Sequence, residues 1–129
     1  MIAWLGPITT WPKEVRLAVA VTASRARELA LALDETSEAP HFDRTAFRTP
    51  RRIFATLASD GADVNFMFDI QLQEFYCEHG PRAFSPVRGG WGKRGATRCL
   101  LKEVEVAMFR SALAAAHRRA QSPRSRKVR

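Results

Sequence analysis

The sequence is poor in several features that define common classes of protein. Its 129 residues contain only two cysteines, Cys77 and Cys99, which are too few for a disulfide scaffold and form no CxxC pair. No stretch approaches the roughly 20 apolar residues that cross a bilayer. Prolines and charged residues interrupt the apolar N-terminal segment, where a secretory signal needs an unbroken apolar centre. We therefore expect a cytoplasmic protein with reduced, partly buried thiols and no membrane segment.

The sequence also shows no constellation typical of catalysis or metal binding. Each of the three histidines lacks a second histidine or a carboxylate at helical metal-binding spacing; they are His41, His79 and His117. The glycine-rich segment is not a P-loop, because the motif GxxxxGK[ST] would need glycine at Val87 and serine or threonine at Arg94. No clear general base or oxyanion arrangement accompanies Thr36, Ser37 or the two cysteines. We expect no enzymatic activity, no cofactor and no metal.

Positive charge is abundant, and it is sorted into blocks along the chain. Half of the net charge of +8 lies in residues 122–129. Segments Glu28–Asp43 and Ile53–Pro81 each carry five acids and no lysine or arginine, whereas Arg44–Arg52 carries four arginines and Arg82–Lys102 six basic residues, both without an acid. If the two basic blocks meet in space, they form one patch of up to ten positive charges, which is typical of nucleic-acid binding.

The periodicity predicts one domain of α+β class. We interpret residues 1–21 as an N-terminal extension without clean periodicity, 22–121 as the domain and 122–129 as a disordered basic tail. The first helix begins at Thr22, a good N-cap, and continues with apolar residues at helical spacing. A second helix is capped by Asp69, has an apolar face of Leu72, Phe75 and Tyr76, and stops at Gly80-Pro81. A final helix runs from about Val104 to Ala120.

Between the first two helices, short alternating runs predict a meander of antiparallel strands from Thr36 to Phe68. A proline turn, Thr49-Pro50-Arg51-Arg52, and the hairpin signal Asp60-Gly61 separate the strands. Two more short strands, Phe84–Val87 and Thr97–Leu101, flank the glycine-rich loop. Because the hairpins are local, we expect an antiparallel sheet packed against an N-terminal and a C-terminal helix.

An ordered series of motifs then resembles a known family. The most specific motif is Pro86-Val87-Arg88-Gly89-Gly90-Trp91-Gly92, and the others are Leu31 to Glu38, His41-Phe42, Ala46 to Arg48, Ile53 to Leu57, Val64-Asn65, Phe84 to Val87 and Thr97-Arg98. From about Thr22 to Ala120 the chain resembles the MmcQ/YjbR family. The resemblance implies a CyaY-like α+β fold and DNA binding through two β-hairpin wings.

Two positions depart from the family pattern. Pro50-Arg51-Arg52 stands where members usually carry a Gly-Lys turn, and Ala96 replaces the usual aromatic residue before Thr97. The CyaY-like fold also raises the possibility of iron binding, because frataxin-like proteins bind iron on acidic residues of the first helix and strand. The acids of similar position here lie mostly off the helix, so we interpret them as solvated side chains; they are Glu28, Asp34, Glu35, Glu38 and Asp43.

Two interpretations of the glycine-rich loop remain open. In one, the glycines permit a turn that Trp91 anchors to the core. In the other, the loop also presents its basic side chains to phosphates. We hypothesise a nucleic-acid-binding module, in particular a DNA-binding one, and the alternative is a protein-interaction or small-anion-binding domain. The predicted phosphate contacts are Arg44, Arg48, Arg51, Arg52, Arg88, Lys93, Arg94 and Arg98.

Overall fold

The protein is an α+β domain in which one antiparallel sheet packs against helices. The structure, a computed structural model, describes residues 10–15 and 21–123. The elements in chain order are α1 Ala23–Leu31, β1 Ser37–His41, β2 Arg44–Arg48, β3 Ile53–Ala58, β4 Asp63–Phe66, α2 Ile70–His79, β5 Phe84–Pro86, α3 Gly90–Lys93, β6 Thr97–Leu100 and α4 Val106–Gln121. The predicted α+β class, antiparallel sheet and flanking helices are confirmed.

Over the described residues, the sheet has six strands in the order β1-β2-β3-β4-β6-β5, and every neighbouring pair is antiparallel. Because antiparallel strands reverse at each turn, the β2–β3 turn and the β5–β6 connection lie at the same end of the sheet. The β1–β2 hairpin lies at the opposite end. Arg51 and Arg52 of the first basic block therefore lie at the same end of the sheet as the β5–β6 connection of the second, whereas Arg44 lies at the hairpin end.

One side of the sheet forms the core with the helices. Phe47, Phe66, Phe84 and Cys99 are fully buried there, and the Phe66 ring contacts Phe109 of α4 with centroids 5.7 Å apart. Directly paired residues share a face of the sheet, so the row Ala46, Thr56, Asn65, Arg98 and Ser85 lies on the other side. This second side, called the open face below, carries the polar and cationic residues of the strands.

Local capping explains where the helices begin. The Thr22 hydroxyl accepts a hydrogen bond from the Arg25 N–H at 3.0 Å, and the Asp69 carboxylate accepts one from the Leu72 N–H at 2.9 Å. Both predicted N-caps are thus confirmed, because each side chain satisfies an amide that has no partner within its helix. The last helix begins at Val106, two residues later than predicted.

The packing of α2 and of the residue before Thr22 differs from the sequence predictions. Phe75, predicted on the apolar face of α2, is 48% exposed; the inward position belongs to Gln73, whose amide nitrogen donates to the carbonyls of Gly92 and Ala96 at 2.8 and 3.0 Å. Val21, the last residue of the predicted extension, is buried in the core. Most of the predicted tail lies outside the described residues.

Candidate functional site

A long groove crosses the open face of the sheet. It encloses about 590 Å³, within the roughly 300 to 1,000 Å³ that is typical of ligand sites. The β1–β2 hairpin bounds it at one end of the sheet, and the β5–β6 connection bounds it at the other. The lining residues are His41, Phe42, Asp43, Arg44, Arg52, Ile53, Thr56, Asn65, Met67, Val87, Trp91, Ala96 and Arg119.

A second concavity of about 350 Å³ continues the groove toward β5 and β6. The two share Arg44, Asn65 and Val87, so they form one surface. Arg88 and Arg98 from the second basic block and Arg44 from the first line this second concavity together. Across both concavities the lining includes five arginines and two aspartates, which makes the open face cationic.

Asp63 organises the cations at the centre of this surface. Its carboxylate accepts hydrogen bonds from Arg44 Nη2 at 2.7 Å and from Arg98 Nε at 3.0 Å. Arg44 also donates to the Thr56 hydroxyl and carbonyl, at 2.8 and 3.0 Å. These bonds bring Arg44 and Arg98 close together, but they also use some of the N–H groups of both side chains. Both arginines therefore stabilise the fold in addition to being predicted phosphate contacts. The Arg98 side chain is 47% exposed, so it remains open to a ligand in the groove.

The β2–β3 turn is built around the side chain of Thr49. The predicted proline turn does join two strands, but the hydrogen bonds differ from those of an ordinary type I turn. The buried Thr49 hydroxyl accepts from the N–H groups of Arg51 and Arg52 at 3.1 and 3.2 Å and lies 3.1 Å from the Ala120 carbonyl. The turn is therefore fastened to the end of α4.

The arginines of this turn have different environments. Arg51 is exposed. Arg52 lines the groove and donates to the Ser122 carbonyl at 2.7 Å, and Arg48 donates to the Thr49 carbonyl at 3.1 Å. Among these three arginines, Arg51 is the exposed one, whereas Arg48 and Arg52 are partly buried.

The glycine-rich segment forms a one-turn helix, α3, in place of the predicted open loop. Gly89 has φ of +83°, which favours glycine, and a Cβ at Gly92 would lie 1.7 Å from the Val87 carbonyl oxygen. Because of this close approach, α3 packs with Gly92 toward the protein, and the side chain of Trp91 points outward. Trp91 is consequently 66% exposed, and the expectation that it anchors the loop in the core is wrong.

The exposed side of α3 combines an aromatic ring with cations. The Arg94 guanidinium lies over the Trp91 ring, 5.7 Å from its centroid, as in a cation–π contact. Lys93 and Arg88 are exposed beside it. This cluster of basic side chains around Trp91 faces the solvent at the end of the groove.

The sequence interpretation overlooked Phe42 as a surface residue. Phe42 is 95% exposed at the tip of the β1–β2 hairpin and has φ of +59°, the left-handed region that non-glycine residues rarely adopt. The His41-Phe42-Asp43 run between two strands was the available signal, since a phenylalanine in a tight hairpin turn has no core to enter.

Several titratable groups are buried outside the groove, and one of them, Glu103, has a buried carboxylate oxygen without a hydrogen-bond partner in the described part of the chain. His117 contacts the Asp34 carbonyl at 2.8 Å and packs edge-on against Phe54. Burial, together with the negative charge of Asp63, raises the pKa of the Cys99 thiol, and partial burial raises the pKa of Cys77.

Among the described residues no cluster of three histidine, cysteine or acidic side chains could hold a metal ion. No described helix has the length and apolar character to traverse a bilayer.

A family model for YjbR matches residues 31–119 of the chain. The chain belongs to the YjbR family. The crystal structure of the Deinococcus radiodurans protein DR2400, described as a DUF419 domain, has a TM-score of 0.63 and 15% sequence identity, and the match covers 75% of this chain and 76% of that chain. At this identity the likeness shows that the YjbR-family chain shares the fold. A comparison with curated proteins finds no match.

Proposed function

We propose that this YjbR-family chain is a cytoplasmic, non-enzymatic protein that binds nucleic acid, in particular DNA, through its open face. The observation that carries the proposal is the meeting of the two basic blocks: Arg44 from one and Arg88 and Arg98 from the other line one concavity. Phosphate groups bind such surfaces through arginine and lysine side chains, and release of their counterions supplies most of the affinity.

The proposed phosphate contacts divide into two groups by their structural freedom. Arg51, Lys93, Arg94 and Arg88 are exposed, so they can move to meet a phosphate. The other four already donate to protein acceptors, so they offer a fixed charge at a defined position; they are Arg44, Arg48, Arg52 and Arg98. Exposed cations together with cations held in place by hydrogen bonds suit an elongated polyanion, because its charges are distributed along its length.

The proposal is tested by the salt dependence of binding to a DNA duplex. Each phosphate contact contributes about 0.9 to the slope of log K against log salt for duplex DNA. The double variant R88Q/K93Q should therefore lower this slope by about 1.8. The matched control is R25Q/R110Q, which removes two exposed positive charges from α1 and α4 that line neither concavity of the open face and should leave the slope unchanged.

The basic residues of the C-terminal segment require a separate control, because they could bind any polyanion without help from the domain. The variant replaces four residues with serine: Arg124, Arg126, Lys127 and Arg129. If this variant abolishes binding while R88Q/K93Q keeps the full slope, the open face does not bind DNA. The protein-interaction or small-anion alternative would then be the better hypothesis.

A further inference from the structure

Two large aromatic side chains are exposed on the same groove. Phe42 lies at the β1–β2 hairpin and Trp91 at the β5–β6 connection, and both line the groove on the open face. Single exposed aromatics are ordinary on protein surfaces. Two of them at opposite ends of one concavity, which is also cationic, mark a site for a ligand that is both flat and anionic.

The backbone holds both rings outward by features that oppose burial. Phe42 adopts the left-handed conformation at the tip of its hairpin and packs edge-on against His41, with centroids 4.9 Å apart. Such a conformation at a phenylalanine is costly, and costs of this kind are typical of functional positions. Trp91 faces outward because its neighbour Gly92 is pressed against the Val87 carbonyl.

Each ring has positive charge close to it. Arg94 lies over the Trp91 ring, and Lys93 follows in the same turn. Near Phe42 the groove is lined by Asp43 and by Arg44, which also holds its ion pair with Asp63. A base that stacks on either ring would therefore place its phosphate near a cation. The floor of the groove between the rings includes Ile53 and Met67 as apolar surface and Asn65 as a donor and acceptor of hydrogen bonds.

We infer that the groove binds single-stranded nucleic acid, with unpaired bases stacked on Phe42 and Trp91. This inference rests on the proposed function and specifies its substrate class. In a duplex the faces of the bases are covered by their neighbours, so a duplex can offer this surface only its phosphates. An unpaired strand offers both the phosphates and the ring faces, and stacking on aromatic residues accommodates any base. A five-residue strand spans about 16 Å, so the rings at the two ends of the sheet contact different nucleotides.

The test compares the full-length protein on two probes at one salt concentration. The probes are fluorescein-labelled oligodeoxythymidylate of about 12 nucleotides, within the roughly 4 to 16 that single-stranded sites cover, and a duplex of the same length. Fluorescence anisotropy should show tighter binding of the single strand. Trp91→Ala and Phe42→Ala should each weaken single-strand binding by about 5- to 100-fold and change duplex binding less than about twofold.

Three further variants separate stacking from other effects. Trp91→Phe keeps an aromatic face and should retain most of the single-strand affinity, whereas Trp91→Leu keeps bulk without an aromatic face and should behave like Trp91→Ala. Phe75→Ala removes a half-exposed aromatic ring of α2 that does not line the groove, and it should change the affinity for neither probe.

The outcomes distinguish this inference from the proposed function. Equal or tighter binding of the duplex, or equal losses on both probes in the Trp91 and Phe42 variants, would overturn the inference while nucleic-acid binding stands. Failure to bind either probe would overturn both.

Discussion

Arg44 on β2 reaches across β3 to bind Asp63 on β4, with 2.7 Å between Nη2 and Oδ1. The other oxygen of the same carboxylate accepts from Arg98 on β6. One buried acid thus links three strands of the sheet on its open face and sets the spacing of two cations there. The Arg44–Asp63 ion pair therefore links strands of the sheet and also positions a cation on the proposed binding surface.

Removing the charge of Asp63 should destabilise the protein. Asp63 is only 8% exposed, and Asp63→Asn leaves the partly buried Arg44 guanidinium without its counter-charge. We expect a loss of about 2 to 3 kcal/mol in the free energy of unfolding, below the value for a fully buried pair because Arg98 is half exposed. Urea denaturation measures the change. Glu74→Gln, on the exposed side of α2, is the control and should stay within about 0.5 kcal/mol of the parent.

The close packing of Gly92 should tolerate no side chain. In Gly92→Ala the added carbon would meet the Val87 carbonyl oxygen at 1.7 Å, so the β5–β6 connection must shift. We expect destabilisation by more than about 2 kcal/mol. Gly90→Ala is the matched control in the same turn, because nothing lies within 4 Å of its added carbon; thermal denaturation of both variants should separate them clearly. Equal stabilities would contradict the observed packing.

Trp91→Ala should have little effect on stability. Truncation of a buried aromatic side chain costs about 3 to 5 kcal/mol, and Phe66→Ala, at a fully buried position, should show a loss of that size. Trp91 is mostly exposed, so its truncation should cost less than about 1 kcal/mol. Chemical denaturation of the two variants side by side tests this contrast, and similar losses would place Trp91 in the core after all.

The two cysteines should differ in reactivity toward alkylating reagents. The thiolate is the reactive form, and burial raises the pKa of both thiols, with the charge of Asp63 adding to the effect at Cys99. At pH 8 we expect native Cys77 to react more slowly than a free thiol, with a rate that rises with pH, and Cys99 to remain unmodified. Mass spectrometry after iodoacetamide treatment measures both sites. In urea the two should react alike, because the pKa shifts disappear with the fold.

Much of the fold follows from local patterns in the sequence. Thr22 and Asp69 cap their helices because hydroxyl and carboxylate groups satisfy free amides at helix starts, a property of neighbouring residues. Asp60-Gly61 likewise forms the predicted turn, with Gly61 at φ of +75°. The alternation of the strands predicts an antiparallel sheet because the turns are short. The family resemblance to YjbR agrees with the match over residues 31–119.

The sequence by itself determined the positions of the caps, turns and strands and the separation of charge into blocks, because each depends on residues close in the chain. Only the tertiary structure decided which basic side chains form ion pairs within the protein and which aromatic side chains are exposed to solvent. Arg44 and Arg98 look like any surface arginine in the sequence, and their bonds to Asp63 exist because β4 lies between β3 and β6. Trp91 faces the solvent because Gly92 must approach the Val87 carbonyl. Such contacts depend on how strands and turns pack in space, which no local pattern of residues encodes.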